Sequence, residues 1–267
     1  MAVRAATTTA ATKRVLEEAG DLAIFSARSL LALRGVPRYT SEVLRQAAIL
    51  ARGTTPFLFA MAVFIGGASS NFFIFLLRSL AAEDFAGSLV ALNNTRLTAI
   101  AMFGYAFAAK VGCGLVGELG SLKVNEEIDA YESEAIDPYR FVVGTRLLGG
   151  LLFLPIATAV TLFGTFVGSY LVAVPVLGAV SSSVFLDLYW NAQSIGDQLY
   201  TLFGIVATGL SILLVSCFYG LRAAGGPASV GSASARAVVV NLVMVHLLLG
   251  TFVVSFYGTD LGLPIGG

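Results

Sequence analysis

Charged residues are missing from four long stretches of the chain. Positions 53–77, 147–186, 198–221 and 237–259 carry none. A fifth apolar stretch, 87–116, is interrupted only by Arg96 and Lys110. A helix needs about 20 apolar residues to cross a bilayer core. The pattern therefore predicts an all-α, polytopic membrane protein with five spans, at about 55–78, 87–116, 147–178, 198–221 and 237–258. The third stretch is too long for one straight helix. It reads as a span over 147–178 followed by an extracytoplasmic connector that runs through Asp197.

The first 52 residues have a different rhythm. Positions 1–12 are small and polar and do not form a cleavable signal. Val15, Leu16, Ala19, Leu22, Ala23, Leu30 and Leu33 then recur at helical spacing among charges. This predicts an amphipathic helix in the membrane interface. A short soluble helix packed on the rest of the protein fits the same pattern. Eight of the sixteen basic residues lie in 1–53, which places the N-terminus in the cytoplasm. Lys123, Arg140 and Arg146 then fall in the cytoplasmic loop after span two, with Arg222 and Arg236 in the one after span four. The tail, 261–267, is expected outside.

Composition narrows the classes. The chain is 57% hydrophobic and 12% charged, about half the charge of a soluble domain. Mean hydropathy is +0.86. Disorder is excluded by this apolarity. Two cysteines exclude a disulfide scaffold. Sixteen basic residues balance sixteen acidic ones, so no cationic excess exists for nucleic acid. The zero hides local charge: +4 over 1–53 and −6 over 118–137.

That acidic stretch holds Glu118, Glu126, Glu127, Asp129, Glu132, Glu134 and Asp137 against Lys123 alone, and Pro138 ends it. Val124, Ile128, Tyr131 and Ala135 form one apolar stripe, which predicts a helix over about 121–136. Such a helix between two spans suits docking on a cytoplasmic partner. A solvated acidic loop is the plainer alternative. A calcium site lacks the required loop spacing and turn glycine.

The run 109–146 resembles the MlaE/YrbE permease family of ABC transporters. The likeness rests on Glu118-Leu119-Gly120, Lys123-Val124, Glu127-Ile128-Asp129-Ala130, Asp137-Pro138 and Arg146. A second patch, Cys217-Phe218-Tyr219-Gly220, Gly225-Gly226-Pro227 and Val230-Gly231, is similar to the B-type YrbE permeases of actinobacterial Mce systems. The resemblance covers about 40–260. It departs where Ala91-Leu92-Asn93-Asn94-Thr95 replaces the family's Arg-Glu-Leu-Gly-Pro run. Lys110 stands for an Arg, Tyr131 for a Leu, and Leu199-Tyr200-Thr201 for a Lys-Ser. The resemblance implies the permease subunit of an ATP-driven lipid transporter, importing fatty acids or sterols. It implies a second homologous permease, a cytoplasmic ATPase dimer that binds ATP and Mg, and extracytoplasmic MCE-domain proteins. It makes the acidic helix the coupling helix, with Glu118, Glu126, Glu127, Ile128, Asp129, Tyr131 and Glu132 on the ATPase. Ile128 and Tyr131 would be its apolar anchor. The chain has no phosphate-binding loop of its own, so it is expected to be non-catalytic and to hold no cofactor.

Other residues carry two readings each. Gly66, Gly67, Ser70 and Asn71 make a small, polar patch in span one, a lipid-pathway lining or a bend. Arg96 is the charge deepest in a span and is expensive there unless paired or wetted. It either snorkels or faces the pathway. Gly112, Gly114 and Gly117 suggest helix packing within the subunit, with a lipid path as the alternative. His246 reads as packed or hydrogen-bonded, and Cys113 and Cys217 as free thiols. A secondary carrier or channel is the competing function, but it needs ionisable groups in the spans. An intramembrane protease needs a Ser–His pair that no motif supports.

Overall fold

The computed structural model describes residues 2–258, with side chains at Lys13 and from Leu16 onward. The expected tail at 261–267 and the side chain of Val15 lie outside these residues. The chain is all-α, with no strand among the described residues. Among the described residues, five helical runs are long and apolar enough to cross a bilayer.

Helix α1 (Ala2–Ala32) leads through a 3₁₀ segment, Leu33–Tyr39, into α2 (Thr40–Arg78). The first span is thus the far half of a 39-residue helix that begins well before position 53. The second run is α3 (Ala86–Asn93), α4 (Ala99–Phe107) and α5 (Cys113–Val124). They are joined without a break by π turns at Asn94–Thr98 and Ala108–Gly112. The two cations of this span, Arg96 and Lys110, each occupy one of the wide turns.

A short α6 (Glu127–Ser133) leads to a third run, a π turn at Tyr139–Gly144 followed by α7 (Thr145–Leu171). The connector holds a helix that the hydropathy pattern hid. It is α8 (Ser182–Asn191), capped by Ser181 and packed on α3. Helix α9 (Ile195–Leu221) starts earlier than expected, so Asp197 belongs to its first turn rather than to the connector. Helix α10 (Pro227–Tyr257) closes the bundle.

Glycines set the closest crossing, between α2 and α7. A Cβ on Gly66 would sit 2.1 Å from the Thr165 carbonyl oxygen, and one on Gly168 would sit 1.9 Å from that of Val63. Backbone cannot yield as a side chain does, so only glycine fits. Small residues allow this approach where no hydrophobic force drives helices together. Ser169 closes the crossing by donating to the Gly66 carbonyl at 2.9 Å. The buried core centres on α9, with Ile205, Ile212 and Phe218 nearly inaccessible. Helix α10 buries one stripe at i+4 spacing, Ala233, Ala237, Asn241 and Val245.

The first helix packs on the rest of the protein along one side. Leu22, Phe25 and Ser29 turn inward, and Phe25 packs between Tyr139 and Phe218 at 5.8 and 5.6 Å. Glu18 accepts from the Tyr219 hydroxyl, and Arg222 donates to Asp21, both at 2.8 Å. Leu16, Ile24 and Leu31 remain exposed on the other side. The pattern of apolar positions did not single out Phe25 or Ser29, which do the docking.

Candidate functional site

Two features of the α6 end of the bundle attract attention: the acidic helix itself and a groove beside its base. The helix is shorter than the 121–136 expected. Helix α5 stops at Val124, Glu126 adopts a left-handed conformation at φ 60°, and α6 then runs only from Glu127 to Ser133. Ala135 repeats the left-handed turn at φ 59°. Two such non-glycine turns fix α6 as a separate, sharply bounded element.

Its apolar stripe does not face outward. Ile128 is buried in the protein's own core, and Tyr131 packs edge-on against Phe141 at 5.3 Å. Ile128 is thus covered, and Tyr131 half-covered, by the chain itself. An apolar residue on a short exposed helix gains more by covering its own bundle than by waiting for a partner. The carboxylates take the outer side. Glu126, Glu127, Asp129, Glu132 and Glu134 are all exposed. Asp129 accepts from Lys123 at 2.7 Å. The other four have no basic partner within 4.0 Å among the described residues. Glu118 is not on this surface. It pairs with Arg146 and so ties α5 to α7 at the base of the hairpin.

The groove lies against that base. It is a cavity of about 280 Å³ between α2 and the second run, with Arg146 at one side and Leu213 at the back. Gly53 and Gly114 line it, and a Cβ on either would meet nothing within 4 Å. Gly117 is equally open, whereas Gly112 packs on Ser216 and Asn241. Packing within the subunit thus explains Gly112 and not the other two. Near the groove's mouth, Glu42 accepts from Arg45 and Gln46 at 2.8 Å. Glu42 precedes the crossing part of α2, and its hydrogen bond from Arg45 holds the carboxyl below its ordinary range.

The span-one patch divides in two. Gly66 and Ser70 are buried in the α2–α7 crossing, where backbone and side chains already fill the space. Gly67 and Asn71 border a separate depression of about 470 Å³ between α2 and the end of α7.

Arg96 has a partner that the sequence did not reveal. Its Nε donates to Asp197 Oδ1 at 2.9 Å, and its guanidinium lies 4.3 Å over the Tyr257 ring. The Tyr257 hydroxyl donates to the same oxygen at 2.8 Å. The other oxygen, Oδ2, accepts from the Ser194 hydroxyl and backbone N–H at 2.8 and 3.0 Å. The Ser-x-x-Asp spacing of this capping box was the available sequence signal. His246 is hydrogen-bonded as expected, to Tyr105 at 3.0 Å and to the Leu242 carbonyl at 2.8 Å. Cys113 and Cys217 are free.

The two motif patches, a hundred residues apart, meet in space. A Cβ on Gly220 would lie 2.8 Å from that of Leu119, and one on Gly120 would lie 3.0 Å from the Val230 side chain. Gly225 and Gly226, at φ 93° and 103°, make the turn that brings Pro227 to the first position of α10.

A family profile described as Permease MlaE matches residues 43–255. The chain is 30% identical over 161 residues to a probable ABC transporter permease protein of Synechocystis, a match covering 60% of this chain and 61% of that protein. It is 25% identical over 242 residues to a probable ABC transporter permease protein of Rickettsia typhi, covering 87% and 91% of the two. A protein of the same description from Pyropia yezoensis is 27% identical over 230 residues, with 86% of each covered.

Proposed function

Since the chain belongs to the MlaE permease family, we propose that it is the membrane-spanning subunit of an ATP-driven lipid transporter of the Mce type, importing fatty acids or sterols. The curated relatives are named as ABC transporter permeases, which supports the ATP-driven class. The chain would sit in the inner membrane with its N-terminus in the cytoplasm. It would pair with a second homologous permease and rest on a cytoplasmic ATPase dimer that binds ATP and Mg. MCE-domain proteins would exchange lipid with it on the outer side.

One observation carries the reading. A short helix between the second and third spans, with its two caps, presents Glu126, Glu127, Glu132 and Glu134 to solvent without basic partners among the described residues. Exposed charges of one sign steer encounter and fix register with a basic surface. The helix is also mechanically tied. Asp129 binds it to Lys123 of the second run, and Tyr131 binds it to Phe141 of the third. A displacement imposed on α6 by a closing ATPase would thus reach both runs. The pair Glu118–Arg146 would keep them moving together.

A secondary carrier would need a carboxylate that takes up and releases a proton or ion within the membrane. Asp197 is the nearest candidate, and its two oxygens already accept from Arg96, Tyr257 and Ser194. This favours the ATP-driven reading.

Co-purification tests the proposal. The wild-type chain should carry an ATPase subunit through purification in mild detergent. Glu127→Lys with Glu132→Lys should release it while leaving the permease folded. Retention of the ATPase by the charge-reversed protein would refute the coupling role of α6. Lipid transport by wild type without any ATPase would favour a secondary carrier.

A further inference from the structure

The groove between α2 and the second run opens on an exposed face where Lys110 stands beside apolar walls, and resting on the proposed function we infer that it binds the anionic headgroup of an amphiphile, with Lys110 as the counter-charge. Lys110 lies eight residues from Glu118 along the same continuous helical run, about 12 Å deeper. A lysine at that depth is unfavourable unless water or an anion meets it. Its ammonium lies 5.4 Å over the Phe57 ring, and no carboxylate pairs with it among the described residues. A cation–π contact offers the charge only a weak partner.

A second cation lies in the same lining. Arg146 lines the groove, and its side chain is almost wholly buried. Two of its nitrogens are satisfied by the Val142 carbonyl and by Glu118. Its Nε is buried and has no partner. Arg146 therefore adds positive charge to the groove lining, while its sealed Nε is no donor to a ligand there. The charged lining, Lys110, Arg146 and Glu118, sums to +1, so one negative headgroup neutralises it.

The walls complete the match to an amphiphile. Ile49, Leu50, Leu115 and Leu213 supply an apolar surface beside the two cations. Gly53 and Gly114 leave open space on facing walls, so a chain can enter. Lys110 also sits in the π turn Ala108–Gly112, an irregularity frequently found at functional sites. A carboxylate and a phosphate headgroup share the chemistry that these groups recognise.

Photo-crosslinking of the full chain in phosphatidylcholine nanodiscs, without ATP or ATPase, tests the inference. The probes are a diazirine fatty acid, the matching fatty alcohol, and a diazirine phosphatidic acid. Both acidic probes should label the segment 109–118 in preference to the alcohol. Lys110→Leu should reduce acid labelling roughly tenfold, the loss of one charge-assisted contact. Lys110→Arg should retain it. Gly114→Leu, whose Cβ meets no neighbour within 4 Å, should block all three probes without unfolding the protein. Equal labelling by acid and alcohol, or an unchanged Lys110→Leu protein, overturns the inference. Abolition of labelling by excess inorganic phosphate also overturns it, because the site then takes a free anion. Failure here with an intact ATPase association leaves the proposed function standing.

Discussion

Replacing Asp197 by alanine should cost about 3–5 kcal/mol of stability. The carboxylate is nearly inaccessible, with 5% of its side chain exposed against 14% for Arg96. Alanine would remove the acceptor for Arg96, for the Tyr257 hydroxyl and for both Ser194 donors. Leaving one member of a buried ion pair without its partner typically costs about 3–5 kcal/mol. Losing a helix cap adds about 1 kcal/mol when it acts alone. Here both effects share one carboxylate, so they do not simply add. The orphaned arginine dominates. Maleimide labelling of Cys217, which is fully buried in α9, reports opening of the bundle. A Cys113→Ser background removes the competing thiol. At about 1.4 kcal/mol per factor of ten, Asp197→Ala should accelerate Cys217 labelling by roughly a hundredfold to a few thousandfold. Adding Arg96→Ala should recover part of the loss, since no charge is then stranded. A double variant that labels as fast as the product of the two single effects would refute the ion-pair account. So would an Asp197→Ala protein that labels like wild type.

Gly168→Ala should lower stability by about 3 kcal/mol or more, because its Cβ would fall 1.9 Å from backbone in the α2–α7 crossing. Gly231→Ala, in the open face of α10, should be neutral or gain up to about 1 kcal/mol of helix propensity. Equal melting temperatures for the two would refute the packing role of Gly168. Ile128→Ala should loosen α6 locally, with a core-truncation cost of about 2–5 kcal/mol confined to the hairpin. A glutamate-specific protease should then cut faster around Glu126–Glu134, while the melting of the bundle barely moves. Unchanged cleavage would show that Ile128 does not hold the helix.

Reading the spans from sequence succeeded because hydrocarbon demands an unbroken apolar helix and tolerates few charges. The acidic segment was legible for the same reason: seven carboxylates in twenty residues cannot lie in lipid. Its orientation was not. The stripe of Ile128 and Tyr131 is the same whether it meets a partner or the protein's own Phe141. Periodicity identifies a face but not what covers it. Hydropathy hides helix α8 because its first half lies in the end of the charge-free stretch 147–186, where the pattern has no contrast.

Sequence by itself determined the all-α class, the five spans, the family and the acidic surface between the second and third spans. Each depends on composition or on residues close in the chain. Tertiary structure alone decided that Arg96 meets Asp197 across a hundred residues, and that Gly66 serves packing while Gly114 faces open space. It alone placed Lys110 in a groove. A lysine or glycine has the same local signature in either setting, and only the neighbours brought by the fold distinguish a filled space from an empty one.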